Sequence, residues 1–297
     1  MKLWIAVVLV CLGRMVAHGA GGPSNALLFI DTVESVSAPH TSALNPYPFT
    51  VAGWFQWQGA DDVRLIRKHD GAFNGWRVQI VNERLYASYF ASGTSYVSDG
   101  AFGLDGGFVS NPDWHHFAFT VDASGGKLYV DGMLRDSRAW TGTPAAATTT
   151  QNLILCGSDP TANELRLDEV TVWNAALSQG QIQTNKNRSL TGNEPELVAY
   201  YRCDEANGSA TLGDSAPAGG FNHGSLTAFA VLFEPSGIFP FTPFAQTLAA
   251  SALGATNATL NGVANPVFTN TSAWFEWGTT TNYGNTTAPQ SAAAGGM

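Results

Sequence analysis

The chain has 297 residues, of which only 12% are charged, and its 23 acids outnumber 14 lysines and arginines for a net charge of −9. With no Lys/Arg cluster to neutralise phosphates, nucleic acid is excluded as a partner. Glycine is abundant, as are Thr, Ser, Ala and Asn. That composition suits short strands joined by many turns, and fits a secreted sandwich better than a cytosolic helical enzyme. The length allows one large β domain, or one domain with a smaller neighbour.

Residues 1–19 read as a secretory signal peptide. Lys2 is a positive start, Leu3 to Leu12 an apolar run too short to span a bilayer, and Ala17-His18-Gly19 a small-x-small cleavage site. The expected location is therefore secreted or at the cell surface, with no membrane span after cleavage. Removal takes two basic residues and no acids, which shifts the net charge to −11. Such an acidic exterior repels anionic membranes and tolerates neutral glycans or cations.

From Ala26 to about Phe233 at least ten strand-like runs follow one another, each bounded by turn residues. They include Phe49 to Trp57, Val63 to Arg67, Trp76 to Val81, Leu85 to Phe90, Trp114 to Val121, Leu153 to Cys156, Glu164 to Trp173 and Leu197 to Cys203. Trp114 to Gly132 is the clearest stretch. Phe117, Phe119 and Val121 alternate with smaller or polar residues before a Gly-rich break, then Leu128-Tyr-Val resumes and Asp131-Gly132 stops it. Asp-Gly favours a two-residue hairpin turn, which pairs Lys127 to Val130 with Met133 to Arg138. The one helix signal is Ser178-Gln-Gly-Gln181, a capping box leading into Ile182, and nothing apolar sustains it beyond Lys186. Many short strands without βαβ alternation predict an all-β fold, a two-sheet antiparallel jelly-roll sandwich. Cys156 and Cys203 lie in apolar strand patterns, which leaves open a disulfide or two separate buried thiols.

Residues 233–247 hold three prolines and several Phe and Ile residues without period, and read as an interdomain linker. Residues 248–297 are Ala/Thr/Asn-rich with two strand-like runs, Ala258 to Leu260 and Ser272 to Trp277. That is too few to close a sandwich, which takes about seven strands. The expectation is a partial second β-sandwich.

Four segments together carry a resemblance: ALLFIDTVESVSAPHTSALNPYPFTVAGW, DWHHFAFTVDASGGKLYVDG, LRLDEVTVWNAALSQGQI and LVAYYRCDEANGSATLGDSAPAGGFNHGSL. They resemble, in order and over roughly residues 25–232, the laminin-G-like jelly roll of the concanavalin A-like lectin/glucanase superfamily, expected as a domain at residues 20–232. The resemblance implies two curved sheets, often with a calcium ion at the rim, that bind glycan or a cell-surface or extracellular protein and seldom do chemistry. Residues 248–297, with ATLNG and NPVFTNTSAWFEWGTTTNYG, resemble the first part of a bacterial Ig-like or fibronectin-like repeat. Cys156 and Cys203 stand at positions normally apolar in the jelly-roll family, and two such changes are expected to face one another as a disulfide. The family's opening strand carries its first acid one position away from Asp31, and one residue of register turns a side chain to the other face.

Among candidate sites, Asp168 and Glu169 are the acids most readily given to calcium, with Asp31, Asp204 and Asp214 weaker because each sits at a turn. Trp54, Trp57, Trp76, Trp114, Trp140 and Trp173 could stack on sugars, but those in strand alternation are expected in the core. Trp140 and Tyr96 are the aromatics expected to meet a ligand. His115 and His116 are adjacent on a strand, point to opposite faces and cannot share one ion, so both read as structural. The fold's glucanases place acids at alternate strand positions; here Glu164-Leu-Arg-Leu-Asp168 puts Arg166 between them, which lowers a neighbouring carboxyl's pKa when a general acid needs it raised. The expectation is a binding module, with calcium as a possible cofactor, rather than an enzyme. An adhesin spacer in a larger surface protein is the alternative, ahead of a glycoside hydrolase.

Overall fold

A computed structural model describes residues 4–8, 25–29, 34–58, 62–71, 73–98, 100, 102–109, 113–156, 164–226, 232–236, 244–252, 257–265, 271–278 and 285–292. The chain divides into two compact units, Pro23–Phe239 and a second that joins Met1–Gly22 to Pro240–Met297.

The larger unit is the expected antiparallel two-sheet sandwich. One sheet has eight strands, in the order Met133–Arg138, Gly125–Val130, Trp114–Asp122, Phe49–Gln58, Glu164–Trp173, Asn25–Phe29 and Leu232–Pro235, with Leu197–Tyr201 also pairing along Glu164–Trp173. The other has nine, in the order Thr211–Leu212, Gly224–Leu226, Ser35–Ala38, Leu153–Cys156, Val63–His69, Gly75–Val81, Arg84–Ser92 and Ser95–Val97, with Leu104–Phe108 against Arg84–Ser92. Period-two alternation sends Phe49, Phe55, Phe117 and Phe119 of the first sheet and Trp76, Val78, Ile80 and Tyr89 of the second into one core, all at most 1% exposed. Phe49 joins the sheets, its ring 4.8 Å from Trp76, 5.7 Å from Tyr89 and 6.0 Å from Phe119. Of the other strand tryptophans, Trp57 and Trp173 are buried, while Trp54 and Trp114 are half-buried.

The Asp131-Gly132 hairpin forms as expected, with φ of 56° and 78° at its two turn residues. Both values are left-handed, and at Gly132 an added Cβ would come within 2.9 Å of the Gln183 side chain, so this position requires glycine. The turn is thus tucked against the helix Gln179–Asn185. That helix carries the full capping box: the Ser178 hydroxyl accepts the Gln181 amide, and the Gln181 side chain accepts the Ser178 amide at 2.9 Å. Ile182, 1% exposed, packs with Ala52, Ala118, Trp173, Leu177 and Tyr200 into a second apolar cluster on the outer face of the eight-stranded sheet.

The expected disulfide is not formed, and Cys156 and Cys203 are both buried thiols. They leave strands of opposite sheets through left-handed backbone, φ 56° and 59°, and each sulfur joins the common core as a small hydrophobe. The Cys203 thiol points at the Tyr201 carbonyl, 3.8 Å away. The expected linker also begins too early. Leu232–Pro235 is the edge strand of the eight-stranded sheet, held because Phe233 is 3% exposed and its amide donates to Asn207 Oδ1 at 2.6 Å. Phe244–Ser251, which takes in the linker's other end, is a strand of the second unit, and residues 237–243 lie outside the described ones.

In that second unit Phe244–Ser251 pairs antiparallel with Thr259–Asn265, and Trp4–Val8, Asn285–Thr286 and Gln290–Ala292 all pair with Thr271–Gly278. Within the stretch expected to be a signal peptide, residues 4–8 are therefore a strand, and 9–19 lie outside the described residues.

Candidate ligand-binding surface

Asp168 and Glu169 fall at a bulge. The pairing of Glu164–Trp173 with Phe49–Gln58 shifts between Asp168 and Thr171, and Glu169 has φ of 52°. The extra residue puts both acids on the outer face, Asp168 in register with Trp54 and Glu169 beside Trp54, His116 and Trp173. Asp168 is 0% exposed and its Oδ1 accepts the Glu169 amide at 2.8 Å. Both oxygens of Glu169 are engaged, Oε1 by the Ser189 hydroxyl at 3.0 Å and Oε2 by the Tyr200 hydroxyl. Burial raises the pKa of both, that of Glu169 to about 7, and at Asp168 the neighbouring Glu169 and Asp204 add to the rise. A calcium ligand set needs several open, ionised oxygens, and no group of three potential ligands occurs among the described residues. Asp168 and Glu169 therefore do not fit calcium. Asp31 lies outside the described residues. Asp204 caps the Asn25 amide, and Asp214 accepts the amides of Tyr200, Ala216 and Asn222 at 2.7–2.8 Å, so both are structural.

The glucanase-like run offers no acid and base to a substrate. Arg166 bridges Glu164 and Glu234, each at 3.1 Å, and Asp168 is wholly enclosed. His115 bonds Asp131 at 2.9 Å, and His116, 5% exposed, is pushed down to about 3 by burial and by Lys186. His115 is thus tied to Asp131, while His116 is enclosed with its Nδ1 lacking a partner. Trp140 is half-buried rather than presented: its Nε1 donates to the Asp122 carbonyl at 2.7 Å, and its ring meets Tyr89 and Tyr47 edge-on.

Tyr96 leads to a different surface. In the nine-stranded sheet the residues that alternate with the core form three rows on the outer face. Arg64 pairs with Gln79, Gln79 with Tyr86 and Tyr86 with Asp105. Ile154 pairs with Arg67, Arg67 with Arg77 and Arg77 with Ser88. His69 pairs with Gly75, Gly75 with Phe90 and Phe90 with Tyr96. The third row is an aromatic strip, Phe90 lying 5.7 Å from His69, 5.9 Å from Tyr96 and 5.5 Å from Phe73, whose ring is 58% exposed. Phe102, 40% exposed, sits 5.4 Å from Tyr86 and continues the apolar area. Apolar strips flanked by a few convergent polar groups are what ligand surfaces are made of.

Of this surface the sequence reading found Tyr96 alone. The signal for the rest is the alternation of Arg77 and Gln79 with Trp76, Val78 and Ile80, which names a polar outer face in a central strand. Arg64 was harder to place, because a bulge between Arg64 and Ile66 breaks the period.

A family model of laminin G type, described as the concanavalin A-like lectin/glucanases superfamily, matches residues 31–183. No curated protein matches the chain. Among solved structures, a Bacteroides ovatus ATCC 8483 protein with a provisional carbohydrate-binding description is similar at a TM-score of 0.54 and 14% identity, over 71% of this chain and 59% of that one. A heptameric SAP-like pentraxin of Limulus polyphemus matches at 0.41 and 12%, over 56% of this chain and 83% of its own. The binding domain of botulinum neurotoxin DC matches at 0.43 and 11%, over 96% and 67%. The chain thus spans well under two thirds of the Bacteroides protein, and these identities speak to the fold alone.

Proposed function

Because the chain belongs to the laminin-G-type family of the concanavalin A-like lectin/glucanases superfamily, we propose that it is a non-catalytic carbohydrate-binding module whose ligand lies on the outer face of the nine-stranded sheet. The observation that carries this reading is the row His69, Phe90 and Tyr96 with exposed Phe73 beside it, an aromatic strip flanked by Arg77, Gln79 and Ser88. Aromatic faces offer rigid area to the C–H faces of pyranose rings, and the half-buried Arg77 can pair with ring hydroxyls, while Gln79 and Ser88 are buried beneath them. The Bacteroides protein's description supports the same ligand class. The module acts outside the cell: Lys2, the apolar run and Ala17-His18-Gly19 read as an export signal.

Affinity electrophoresis of the whole chain through gels containing neutral and acidic polysaccharides tests this. Wild type should be retarded by at least one polysaccharide, and the Phe73→Ala/Tyr96→Ala double variant should lose that retardation while its thermal midpoint stays put. A double variant retarded as strongly as wild type overturns the placement. Silence of wild type across all the polysaccharides overturns the ligand class and favours a structural spacer.

A further inference from the structure

We propose that the ligand taken on this face is a carboxylate-bearing saccharide, a polymer containing uronic acid units, with the carboxylate seated on Arg77. The inference rests on the carbohydrate-binding reading above and narrows it. Its first ground is a surplus of donors. Arg77 sits mid-row between Arg67 and Ser88 and makes no hydrogen bond or ion pair to any described residue, its Nε being buried without a partner. His69 Nδ1 accepts the Gly71 amide at 2.9 Å, so the proton of the neutral ring stands on Nε2, and that donor also has no acceptor. The Ser88 hydroxyl, 0% exposed, is unpartnered as well. Buried donors left unmade are costly, and of these residues the half-buried Arg77 is the one whose guanidinium a ligand on this face can reach, while Ser88 is fully enclosed.

The second ground is charge. Arg67 and Arg77 stand directly opposite on neighbouring strands, a like-charge pairing that concentrates positive charge at the middle of this face. Arg64, one row away, adds to the same field, and with burial it holds Arg77 below its ordinary pKa. Burial and these guanidiniums likewise depress His69. Two acids stand near this face: Asp105 is held by the Arg84 guanidinium through three contacts of 2.7–3.2 Å, and Asp70 lies beside His69 and partly offsets the guanidiniums there. A basic patch on a chain of net charge −9 is a local construction, and it invites an anion. A planar guanidinium matches a planar carboxylate with two parallel hydrogen bonds, and the aromatic strip beside it accommodates the sugar ring that bears the carboxylate.

Isothermal titration of the whole chain with polygalacturonate, alginate and hyaluronan, each beside its carboxyl-reduced form, reads this out. Dextran and dextran sulfate serve as uncharged and sulfate-only probes. Binding to at least one uronate, lost on carboxyl reduction, is expected. Arg77→Gln and Arg77→Lys should each weaken it by at least about tenfold, since lysine keeps the charge and loses the fork. If Arg77→Gln does not fold, Arg77→Lys and the reduced polymers decide. Equal affinity for dextran sulfate, or binding that survives carboxyl reduction or both Arg77 changes, overturns the inference. Binding only to dextran, abolished by Phe73→Ala/Tyr96→Ala, overturns it while the carbohydrate reading stands. Binding to none of the polymers overturns both.

Discussion

The two sheets of the sandwich share one core and treat their outer faces in opposite ways. The eight-stranded sheet covers its outer face with Gln179–Asn185 and a second apolar cluster, and the acid trapped there, Glu169, is satisfied by Ser189 and Tyr200. The nine-stranded sheet carries no helix on its outer face among the described residues; Phe102 closes over part of it, its carbonyl accepting Gln79 Nε2 at 3.4 Å, and half-buried Arg77 keeps its Nε without a partner beside exposed Phe73. The sealed face has unpartnered donors too, the Nε1 groups of Trp54 and Trp173, but the space beneath the helix is only about 20 Å³. That is room for a water molecule and not for a sugar. In this sandwich the helix closes one outer face, and the other is left the more open to a ligand.

The largest expected effect breaks the closed face. Ile182→Asp buries a charge with no partner under the helix and should lower stability by roughly 3 kcal/mol. A chemical denaturation midpoint equal to wild type would show that the helix does not dock as described.

Next comes the buried acid. Burial lifts Glu169 to about 7 in the folded chain, so folding favours its protonated form. Such a group contributes stability fully at low pH, and the contribution is lost as pH rises from its unfolded value near 4.5 through 7. Stability should fall over that window, and Glu169→Gln should flatten the slope by on the order of a few kcal/mol. A Glu169→Gln profile parallel to wild type would reject the assignment. Chelation by EDTA should leave the thermal midpoint unchanged, because both Glu169 oxygens are engaged by protein donors and Asp168 is fully enclosed; a drop on chelation would reinstate calcium.

A smaller effect of opposite sign belongs to the nine-stranded sheet. Lys68 is 0% exposed, donates to His40 Nδ1 at 2.9 Å and to the Gln151 carbonyl, and burial lowers its pKa to about 8. Folding favours its neutral form, so stability should rise with pH between about 8 and 10.5. Lys68→Met should stabilise the chain at pH 7 by about 1 kcal/mol and remove the rise. If the substitution destabilises, the two hydrogen bonds outweigh the buried charge.

The fold was legible wherever the chemistry is local. Asp131-Gly132 required a left-handed turn, Ser178 and Gln181 required a helix start, and the alternation of Phe117, Phe119 and Val121 required an inward face. Features that depend on partners distant in sequence were less so. Adjacent acids on a regular strand point to opposite faces, and only the bulge opposite Trp54 brings Asp168 and Glu169 to one side. The disulfide expected of Cys156 and Cys203 depended on which sheet each joins, which spacing does not encode. Trp140 was expected to face a ligand from its place beside a Thr/Ala-rich loop, yet the Asp122 carbonyl and the rings of Tyr47 and Tyr89 hold it half-buried. The basic and aromatic surface escaped for the same reason. His69, Phe90 and Tyr96 are scattered along the chain, and cross-strand register alone makes them a row.

The claim at the centre of this account is that one outer face is closed and the other receives a saccharide. A crystal structure of the whole chain with an oligosaccharide that it binds tests this most directly. Sugar density should lie across Phe73 and Tyr96 on the nine-stranded sheet, within hydrogen-bonding distance of Arg77. Density elsewhere, at the helix Gln179–Asn185 or at the loops around Tyr47 and Asn174, with the Arg77 side chain untouched, would contradict it.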